Sequence, residues 1–542
     1  MSASPEPPTR SFLKVCGIIL TCTTAMIINT AASTSISIAL PSIGRDLAIG
    51  ASTLEWVVSS FSLSSGCFLL VCGRLADLYG RKLTFVLGTT WLLVFSIACG
   101  FAQTGVQLNI LRGVQGIGSC ASMSAAIGIL ANAFPASRTR SFAFATFSAG
   151  APLGAGIGFV LGGLIDELSA AKWRGNFFLL AGLCALSVLL ALFSVDADVR
   201  ELGVDRRVDW VGAALVTAGF VFITFALGEG SVADKGWGTP YIIVLLILGI
   251  ILVVGFAAFQ HYLASGRPPT PSSSSLNTPS SNEKKTSSLG RRPPLMRLSL
   301  WTRVHGKVAA MQLIAFFNWA AFMSWSLWAQ LYYQTYQGLS PLQTMVRLLP
   351  MPVVGLLLNF VIGFAVERVD VLWLLVAGTA CTGGACLLFA LITPATTYWA
   401  FGFPAAVLCV WGSDFIFSCG TLFVARSARP EEQSVAGGMF VTVTQFGTAL
   451  GLAVTTTIKN EVIQKQARAY GVSADDDTRR ASLDGFRAAQ WGGFAFSMAA
   501  LVLSVVFMRG VGVIGGAAPK EEGEEEEGSQ VGLGEEKGRA VV

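Results

Sequence analysis

Long runs of apolar residues constrain this chain more than any other feature of its sequence. A helix needs about 20 predominantly apolar residues to cross a bilayer, because in hydrocarbon it must satisfy its own backbone polar groups. Fourteen such runs occur, approximately at residues 12–40, 54–72, 84–101, 108–131, 141–165, 176–195, 209–228, 240–261, 306–333, 345–365, 372–392, 397–424, 433–458 and 488–508. The sequence therefore predicts an all-α membrane protein with 14 transmembrane helices.

The scarcity of charge argues against a water-soluble fold and against most enzyme classes. Only 13% of the residues are charged and 53% are hydrophobic, whereas soluble domains have about 25% charged residues. His261 and His305 lie in or beside polar stretches, and no HExxH motif or Walker loop occurs. We therefore expect no catalytic residue, no metal and no cofactor, and we keep a membrane-bound receptor or enzyme as the remote alternative.

The cysteines do not suggest a disulfide framework or a redox site. All eleven lie within apolar runs, and none forms a CxxC pair. We expect them to be small packing residues.

The distribution of Lys and Arg predicts the orientation of the chain. With a cytosolic N-terminus, the inner loops contain Arg74, Arg81, Lys82, Arg138, Arg140, Arg200, Arg206, Arg207, Arg368, Arg426 and Arg429, and the outer loops contain Arg45, Lys172, Arg174 and Lys235. Cytosolic loops are enriched in Lys and Arg, so this count favours a cytosolic N-terminus. The two long segments 262–305 and 459–487 are set aside, because long loops obey the rule poorly.

The arrangement of the runs predicts two helical bundles joined by a linker pair. We expect a cytosolic N-terminus (1–11), a six-helix bundle (12–195), two linker helices (209–261), a cytosolic disordered loop (262–305), a second six-helix bundle (306–508) and a cytosolic acidic tail (509–542). The loop is rich in Pro, Ser, Lys and Arg, and neither it nor the tail can bury a core. They are interpreted as a linker and a solvated tail, with phosphorylation or partner binding as the alternative.

The sharpest local motif is the ten-residue stretch 73–82, GRLADLYGRK, at the inner end of span 2. Gly80 permits a tight turn, Gly73 permits close helix approach, and Arg81 follows Asp77 by one helical turn. Such a carboxylate can bind the positive N-terminus of a neighbouring helix in one state and release it in another, which would make Gly73, Asp77, Gly80, Arg81 and Lys82 a conformational latch. The alternative is a basic cluster that only fixes topology.

This stretch resembles the GxLaDrxGrk signature of the major facilitator superfamily, and the fourteen runs resemble its drug:proton antiporter branch of fungal-type multidrug and metabolite exporters. The resemblance implies the major facilitator fold, with two six-helix bundles plus two linker spans, and a role for Asp77 in locking the outward-open state. It also implies proton-coupled efflux of small organic compounds, such as drugs, toxins or secondary metabolites, by alternating access. An importer or uniporter on the same fold is the alternative.

Span 4 contains a charge within an apolar run. The segment with Leu108, Arg112, Gln115, Gly116 and Gly118 resembles the family pattern LxxxRxxQGxG. A charge at the centre of a span costs about 2.5–3.5 kcal/mol on insertion scales, so such an arginine normally faces a cavity or a partner. The resemblance implies a part in proton coupling, whereas snorkelling to the outer interface is the alternative.

Span 5 has glycines at every fourth position, Gly150, Gly154, Gly158 and Gly162, with Pro152 among them. This spacing predicts a smooth groove that admits another helix backbone. It resembles the family's antiporter signature GxxxGPxxGG, although an alanine separates Gly150 from Pro152. Tight helix packing explains the glycines equally well.

Span 1 lacks the acidic residue that this branch often has, because Ala32 occupies its position in the pattern LDxTxVNVALP. Another acid must then carry protons, and Asp414 in span 12 lies near the predicted midplane. A carboxyl group in an apolar span can take up and release a proton, so Asp414 joins Arg112 as a proton-coupling candidate. A structural hydrogen bond to a neighbouring helix is the alternative.

Amides and aromatic residues in several spans are candidates for the substrate cavity. They are Asn29, Gln312, Phe316, Asn318, Trp319, Asn359 and Gln445. The alternative is that the aromatics face lipid or the core and the amides only bond across helices. In the second half, Arg347 with Gly363, Glu367 and Arg368 resembles a degraded copy of the latch, and the helix start at 429–438 is the predicted partner of Asp77.

The expected partners are the lipid bilayer, a small organic substrate and protons. We expect no nucleic-acid partner and a monomeric chain. A multi-pass protein of the plasma membrane is predicted, with the vacuolar membrane as the alternative.

Overall fold

The computed structural model describes residues 11–50, 54, 56–134, 138–196, 208–230, 233, 236–265, 299–428, 433–469 and 479–514. Within these ranges, 14 helical segments are long and apolar enough to cross a membrane, which confirms the predicted all-α, fourteen-span architecture. The predicted N-terminal segment (except its last residue), most of the loop 262–305, residues 429–432 and nearly all of the acidic tail lie outside the described residues.

The structure contains the following helices in chain order. Their bounds are α1 Phe12–Asp46, α2 Trp56–Tyr79, α3 Arg81–Gly100, α4 Gly105–Ala133, α5 Arg138–Leu168, α6 Trp173–Ser194, α7 Trp210–Glu229, α8 Pro240–Ser265, α9 Ser299–Thr302, α10 Lys307–Leu331, α11 Pro341–Leu348, α12 Pro350–Ala365, α13 Val371–Ala390, α14 Tyr398–Ser427, α15 Gln433–Ala469 and α16 Arg479–Phe507. We call the end of the bundle where α2 meets α3 the cytosolic end, following the predicted orientation, and the opposite end the outer end.

Two bundles form the molecule. In the first half, α1 packs against α4, α5 and α6, and α4 also packs against α2 and α3. In the second half, α10 packs against α14, α15 and α16, and α13 packs against α14 and α16. The halves meet where α2 lies against α15 and where α5 lies against α11 and α12.

The linker helices α7 and α8 lie at the side of the bundles. α7 contacts both α2 and α15, so it covers the seam between the halves. The Trp56 indole N–H donates to the Glu229 carboxylate (3.0 Å), and the rings of Phe220 and Phe446 are 4.0 Å apart. α8 packs on α7 and exposes most of its apolar surface, as expected for a helix that faces lipid.

The glycines of span 5 form the predicted groove, and α1 fills it. A Cβ on Gly154 would stand 2.5 Å from the carbonyl oxygen of Ile27, and one on Gly162 would stand 2.9 Å from the Cα of Ser35. Gly150 and Gly158 meet α1 in the same way, at Thr23 and Ala31. The four-residue spacing therefore recurs on both helices, which lets their backbones touch.

Two spans differ in detail from the predicted runs. Span 10 is divided into α11 and α12 at Leu349, where Pro350 lacks an N–H to continue the ladder. Ser340 and Gln343 form a capping box at the start of α11. α15 continues to Ala469, well beyond its apolar run, because its last turns are polar but helix-forming.

Candidate functional site

A cavity of about 220 Å³ lies between the two halves. The first half contributes lining residues from α1, α2, α4 and α5, and the second half from α10, α12, α14 and α15. Among the residues singled out in the sequence, the lining includes Asn29, Pro152, Trp319, Asn359, Asp414 and Gln445. The structure thus brings together residues that are far apart in the chain.

Both walls of the cavity combine polar and apolar side chains. The first half presents apolar residues such as Met26, Leu69 and Phe159 beside the hydroxyl groups of Thr30, Ser33, Thr34, Ser37, Ser62, Ser65 and Ser148. Several of these donate to carbonyls of their own helix, as Thr34 does to Thr30 at 3.0 Å. The second half presents aromatic and thioether side chains, from Trp319, Phe322, Met323, Met351 and Phe417. An amphipathic organic molecule matches such a pair of walls.

Among the described residues that line the cavity, Asp414 is the carboxylate, and none is Lys, Arg or His. Its Oδ2 atom is buried and makes no hydrogen bond to the part of the chain that the structure describes. A carboxyl group without a bonded cation is free to exchange a proton or to pair with a cationic group of a ligand.

The same carboxyl group lies beside a contact between the halves. A Cβ on Gly355 of α12 would stand 3.0 Å from the Cβ of Pro152 on α5 and 3.3 Å from Oδ2 of Asp414. One turn further along α5, a Cβ on Gly156 would stand 3.2 Å from the Cβ of Pro352. Each helix therefore offers a proline to a glycine of the other, next to the acid.

Three of the predicted cavity residues, Gln312, Phe316 and Asn318, do not line the cavity, which corrects that part of the prediction. The cavity face of α10 is formed by Trp319, Phe322, Met323 and Ser326. Gln312 and Phe316 lie one to two turns nearer the cytosolic end, on a similar helix face to Trp319. Asn318 points instead to α14, where its Oδ1 lies 3.0 Å from the position of a Cβ on Gly412.

Arg112 is fully buried within the first half and does not line the cavity. Its guanidinium donates to the carbonyl of Val57 (2.9 Å) and to Oε1 of Gln115 (2.8 Å), and it lies 4.4 Å from the ring centre of Phe61. The structure therefore does not show the snorkelling arrangement.

The signature stretch 73–82 connects α2 to α3 at the cytosolic end. Gly80 has a φ of 119°, a conformation that favours glycine, and Arg81 donates to Asp77 at 3.1 Å. Lys82 donates to the carbonyls of Leu192 (3.0 Å) and Val195 (2.6 Å) at the end of α6. Among the described residues, Asp77 bonds to Arg81 and not to the start of α15.

Polar contacts that the sequence analysis missed join the halves at the outer end. The Gln334 amide donates to the carbonyl of Ile38 (2.8 Å), and the backbone N–H of Leu342 donates to Glu167 (3.1 Å). Gln330 donates to the carbonyl of Ser37. Pro41 is the signal in the sequence for this last bond: it has no N–H, so the carbonyl four residues earlier, Ser37, is left without its helical donor.

Comparisons with known proteins place these features in context. The family model described as Major Facilitator Superfamily matches residues 22–210 and 205–452. MFS-type transporter 1 of Pyricularia oryzae is 28% identical, over 92% of this chain and 84% of that protein. The low affinity ammonium transporter of Saccharomyces cerevisiae is 27% identical over 76% and 75%, and efflux pump terJ of Aspergillus terreus is 25% identical over 90% and 87%. These relatives are thus named as transporters, one of them for ammonium and one as an efflux pump.

Proposed function

The chain belongs to the major facilitator superfamily of membrane transporters, and from this premise we propose that it exports small organic compounds in exchange for protons, by alternating access. The observation that carries the proposal is the placement of Asp414 beside the Pro152–Gly355 contact between the halves, in a cavity whose described lining contains no Lys, Arg or His.

The proposed coupling step begins at this carboxyl group. When it is ionised, it attracts a cationic or polarised group of the substrate into the cavity. When it is protonated, that attraction is lost, and the neutral group sits more easily against the apolar side of α12. Since Gly355 and Pro152 meet there, a change of charge at Asp414 acts on the contact about which the halves would reorient.

The contacts at the two ends support an inward-facing arrangement. At the outer end, Gln330, Gln334 and Glu167 bond across the halves. At the cytosolic end, Asp77 is held by Arg81 of its own signature stretch and, within the described ranges, is not bonded to α15. In the alternating cycle we propose, the outer bonds break and Asp77 engages the positive start of α15.

The cavity chemistry favours amphipathic substrates that are neutral or carry one positive charge. Aromatic and methionine side chains of the second half supply apolar contact, and the hydroxyl groups of the first half supply weak polar contact. A dianionic substrate would meet a carboxylate and no cation, so we expect such compounds to be excluded.

Efflux is the direction we propose, and uptake on the same fold is the second candidate. The glycine pattern of α5 resembles the antiporter signature, and efflux pump terJ is one relative. The ammonium transporter among the relatives favours the second candidate. The two differ in one measurement: uptake of a substrate into inside-out vesicles driven by an acidic interior supports efflux, and the absence of such uptake together with accumulation in whole cells supports import.

Asp414→Asn tests the coupling step in the same vesicles. We expect this variant to lose pH-driven transport of a compound panel and to keep exchange of substrate for substrate, because the amide cannot carry a proton. Glu461→Gln, an acid-to-amide change at an exposed position of α15, is the matched control and should transport normally. Undiminished pH-driven transport by Asp414→Asn would contradict the proposal.

The plasma membrane is the location we propose, with a monomer as the working unit. Fluorescent tagging of the full chain distinguishes the plasma membrane from the vacuolar membrane. Light scattering on the detergent-solubilised protein measures the oligomeric state.

A further inference from the structure

A second and larger pocket, of about 620 Å³, opens at the outer end of the molecule. It is lined by the π-helical turn Tyr332–Tyr336 with the residues that follow it, by Arg347 of α11, by the connection 392–397, by the start of α14 and by Arg479 of α16. All of these elements belong to the second half. The pocket is therefore separate from the central cavity, with which it shares no lining residue.

The walls of this pocket are aromatic. Tyr332, Tyr333, Tyr336 and Tyr398 line it, and the rings of Tyr332 and Tyr336 stack at 5.2 Å with an angle of 12°. Tyr398 is fixed by a hydrogen bond from its hydroxyl to the carbonyl of Arg347 (2.7 Å). Stacked and fixed rings form a preorganised surface for a flat apolar group.

The described side chains give the pocket a positive charge. Arg347 and Arg479 line it, and no Asp or Glu is among its lining residues within the part of the chain that the structure describes. The Arg347 guanidinium lies 5.1 Å from the ring centre of Tyr333 and donates one bond to the Gln337 side chain. A guanidinium has five N–H donors, so further donors remain for a ligand that enters the pocket.

The acid nearest in sequence to Arg479 among the described residues is already engaged. Asp484 lies 3.6 Å from Arg487, and Arg487 also donates to the carbonyl of Ile392 (2.7 Å) at the pocket edge. That pair holds the connection 392–397 in place rather than neutralising Arg347. Guanidinium donors beside aromatic faces are suited to planar carboxylates, which they bind in a bidentate way.

We propose that this outer pocket binds a small organic anion that carries an aromatic ring with a carboxylate group. The ring lies against the tyrosines, and the carboxylate accepts hydrogen bonds from Arg347 and Arg479. The central cavity, with its single carboxylate, has the opposite preference, so the two sites take different classes of compound.

An anion bound in the outer pocket would also stabilise the contact between the halves at the outer end. α11 carries Arg347 into the pocket, and its Leu342 N–H bonds to Glu167 of the first half. A ligand held by Arg347 fastens α11 to the π-helical turn and to α14. We therefore expect bound anion to slow hydrogen–deuterium exchange of residues 341–348.

The test is a binding measurement on the purified full chain in lipid-free detergent micelles, by titration calorimetry at neutral pH. The probes are benzoate, benzylamine with the opposite charge on the same ring, and inorganic phosphate with charge but no ring. We expect benzoate to bind about tenfold more tightly or better than either of the other two, since a charge-assisted hydrogen bond exceeds the free energy of one decade in affinity.

Variants locate the binding. Arg479→Met and Tyr336→Leu should each weaken benzoate binding, and Arg347→Met should weaken it by about tenfold. Arg368→Met, a change at an exposed arginine near the cytosolic end, is the matched control. If Arg347→Met does not fold, the variants at Arg479, which is exposed, and at Tyr336 still test the proposal. Asp414→Asn should bind benzoate normally, so failure of the coupling proposal leaves this result untouched.

Three outcomes would overturn the proposal. The first is equal binding of benzoate and benzylamine, which would show that the charge does not select the ligand. The second is benzoate affinity that is unchanged in both Arg347→Met and Arg479→Met. The third is loss of benzoate binding in nanodiscs of anionic lipid but not of neutral lipid, which would assign the arginines to lipid headgroups.

Discussion

At the scale of single residues, Arg112 and Asp414 show how far a lone charge in an apolar span can be interpreted from sequence. Both are conspicuous because a charge in hydrocarbon is costly and is retained for a reason. Only Asp414 reaches the central cavity, while Arg112 is enclosed by carbonyl, amide and ring groups of its own half. The sequence identifies such residues, but the face they occupy depends on packing between helices that are distant in the chain.

The cavity amides illustrate the same limit. Asn29, Asn359 and Gln445 line the cavity, whereas Gln312 and Asn318 are buried away from it. All five are amides within apolar runs, so nothing local distinguishes them. The distinction arises from the depth of the cavity along each helix and from the rotation of the helix, which tertiary packing sets.

Asp77→Asn tests the proposed latch at this scale. An ion pair that is partly exposed contributes at most about 1 kcal/mol, so the variant should fold and melt almost as the original protein does. Its transport rate should fall, because an amide has no charge with which to engage the start of α15. Stopped-flow transport in proteoliposomes measures the rate. Glu461→Gln, at an exposed position of α15, should transport normally, and an equal rate for Asp77→Asn would contradict the latch.

At the scale of elements, the fourteen spans were predictable because membrane crossing depends on the length and polarity of each segment alone. The division of span 10 at Leu349 has a local cause, the two prolines that follow, yet the runs alone did not locate it. The polar extension of α15 to Ala469 was not predictable from the apolar run, since its residues lie beyond that run. The outer pocket was not predictable, since it is assembled from the outer ends of several spans that are distant in the chain.

The groove between α1 and α5 gives an element-scale prediction. Gly154→Ala places a Cβ 2.5 Å from the Ile27 carbonyl oxygen and 2.9 Å from the Ile27 Cα, backbone atoms that cannot turn aside. We expect a loss of stability of about 1–3 kcal/mol, as for other overpacked interiors. Thermal unfolding in detergent, followed by fluorescence, measures it.

Gly182→Ala is the control for this experiment. It lies in the middle of α6, is exposed, and has no heavy atom of the described residues within 4 Å of the new Cβ. Alanine is the better helix former by about 1 kcal/mol, so this variant should be equally stable or more stable. Equal melting of the two variants would show that the groove is not tightly filled.

At the scale of the whole molecule, the relation between the halves rests on different interactions at different depths. Hydrogen bonds from Gln330, Gln334 and Leu342 cross between the halves at the outer end. In the middle, prolines meet glycines beside Asp414. Loss of the hydrogen bonds at the outer end should therefore shift the equilibrium between the inward-facing and outward-facing arrangements of the halves.

Gln330→Ala tests this point, because it removes the donor that serves the carbonyl of Ser37. A hydrogen bond contributes about 0.5–1.5 kcal/mol net, which corresponds to a change in population of about fivefold. We expect faster hydrogen–deuterium exchange in residues 37–46 and 330–348. Pro41→Ala should have the same effect, because the backbone N–H of the alanine can donate to the Ser37 carbonyl within α1 and compete with Gln330.

Gln464→Ala, at an exposed position on the extension of α15, should leave exchange in these segments unchanged. Exchange that is identical in Gln330→Ala and the original protein would mean that the outer end is held by other contacts.

The reciprocal meeting of Pro152 with Gly355 and of Gly156 with Pro352 has a mechanical consequence. The proline ring carbons contact glycines, which have no side chain. Such surfaces give little resistance to sliding, because each dispersion contact is weak and is replaced by another as the helices move. We infer that these contacts resist rocking less than the hydrogen bonds between the halves at the outer end do. Ligands or substitutions that act on the outer-end hydrogen bonds should therefore change the rate of reorientation more strongly than changes of equal energy at the proline–glycine contacts.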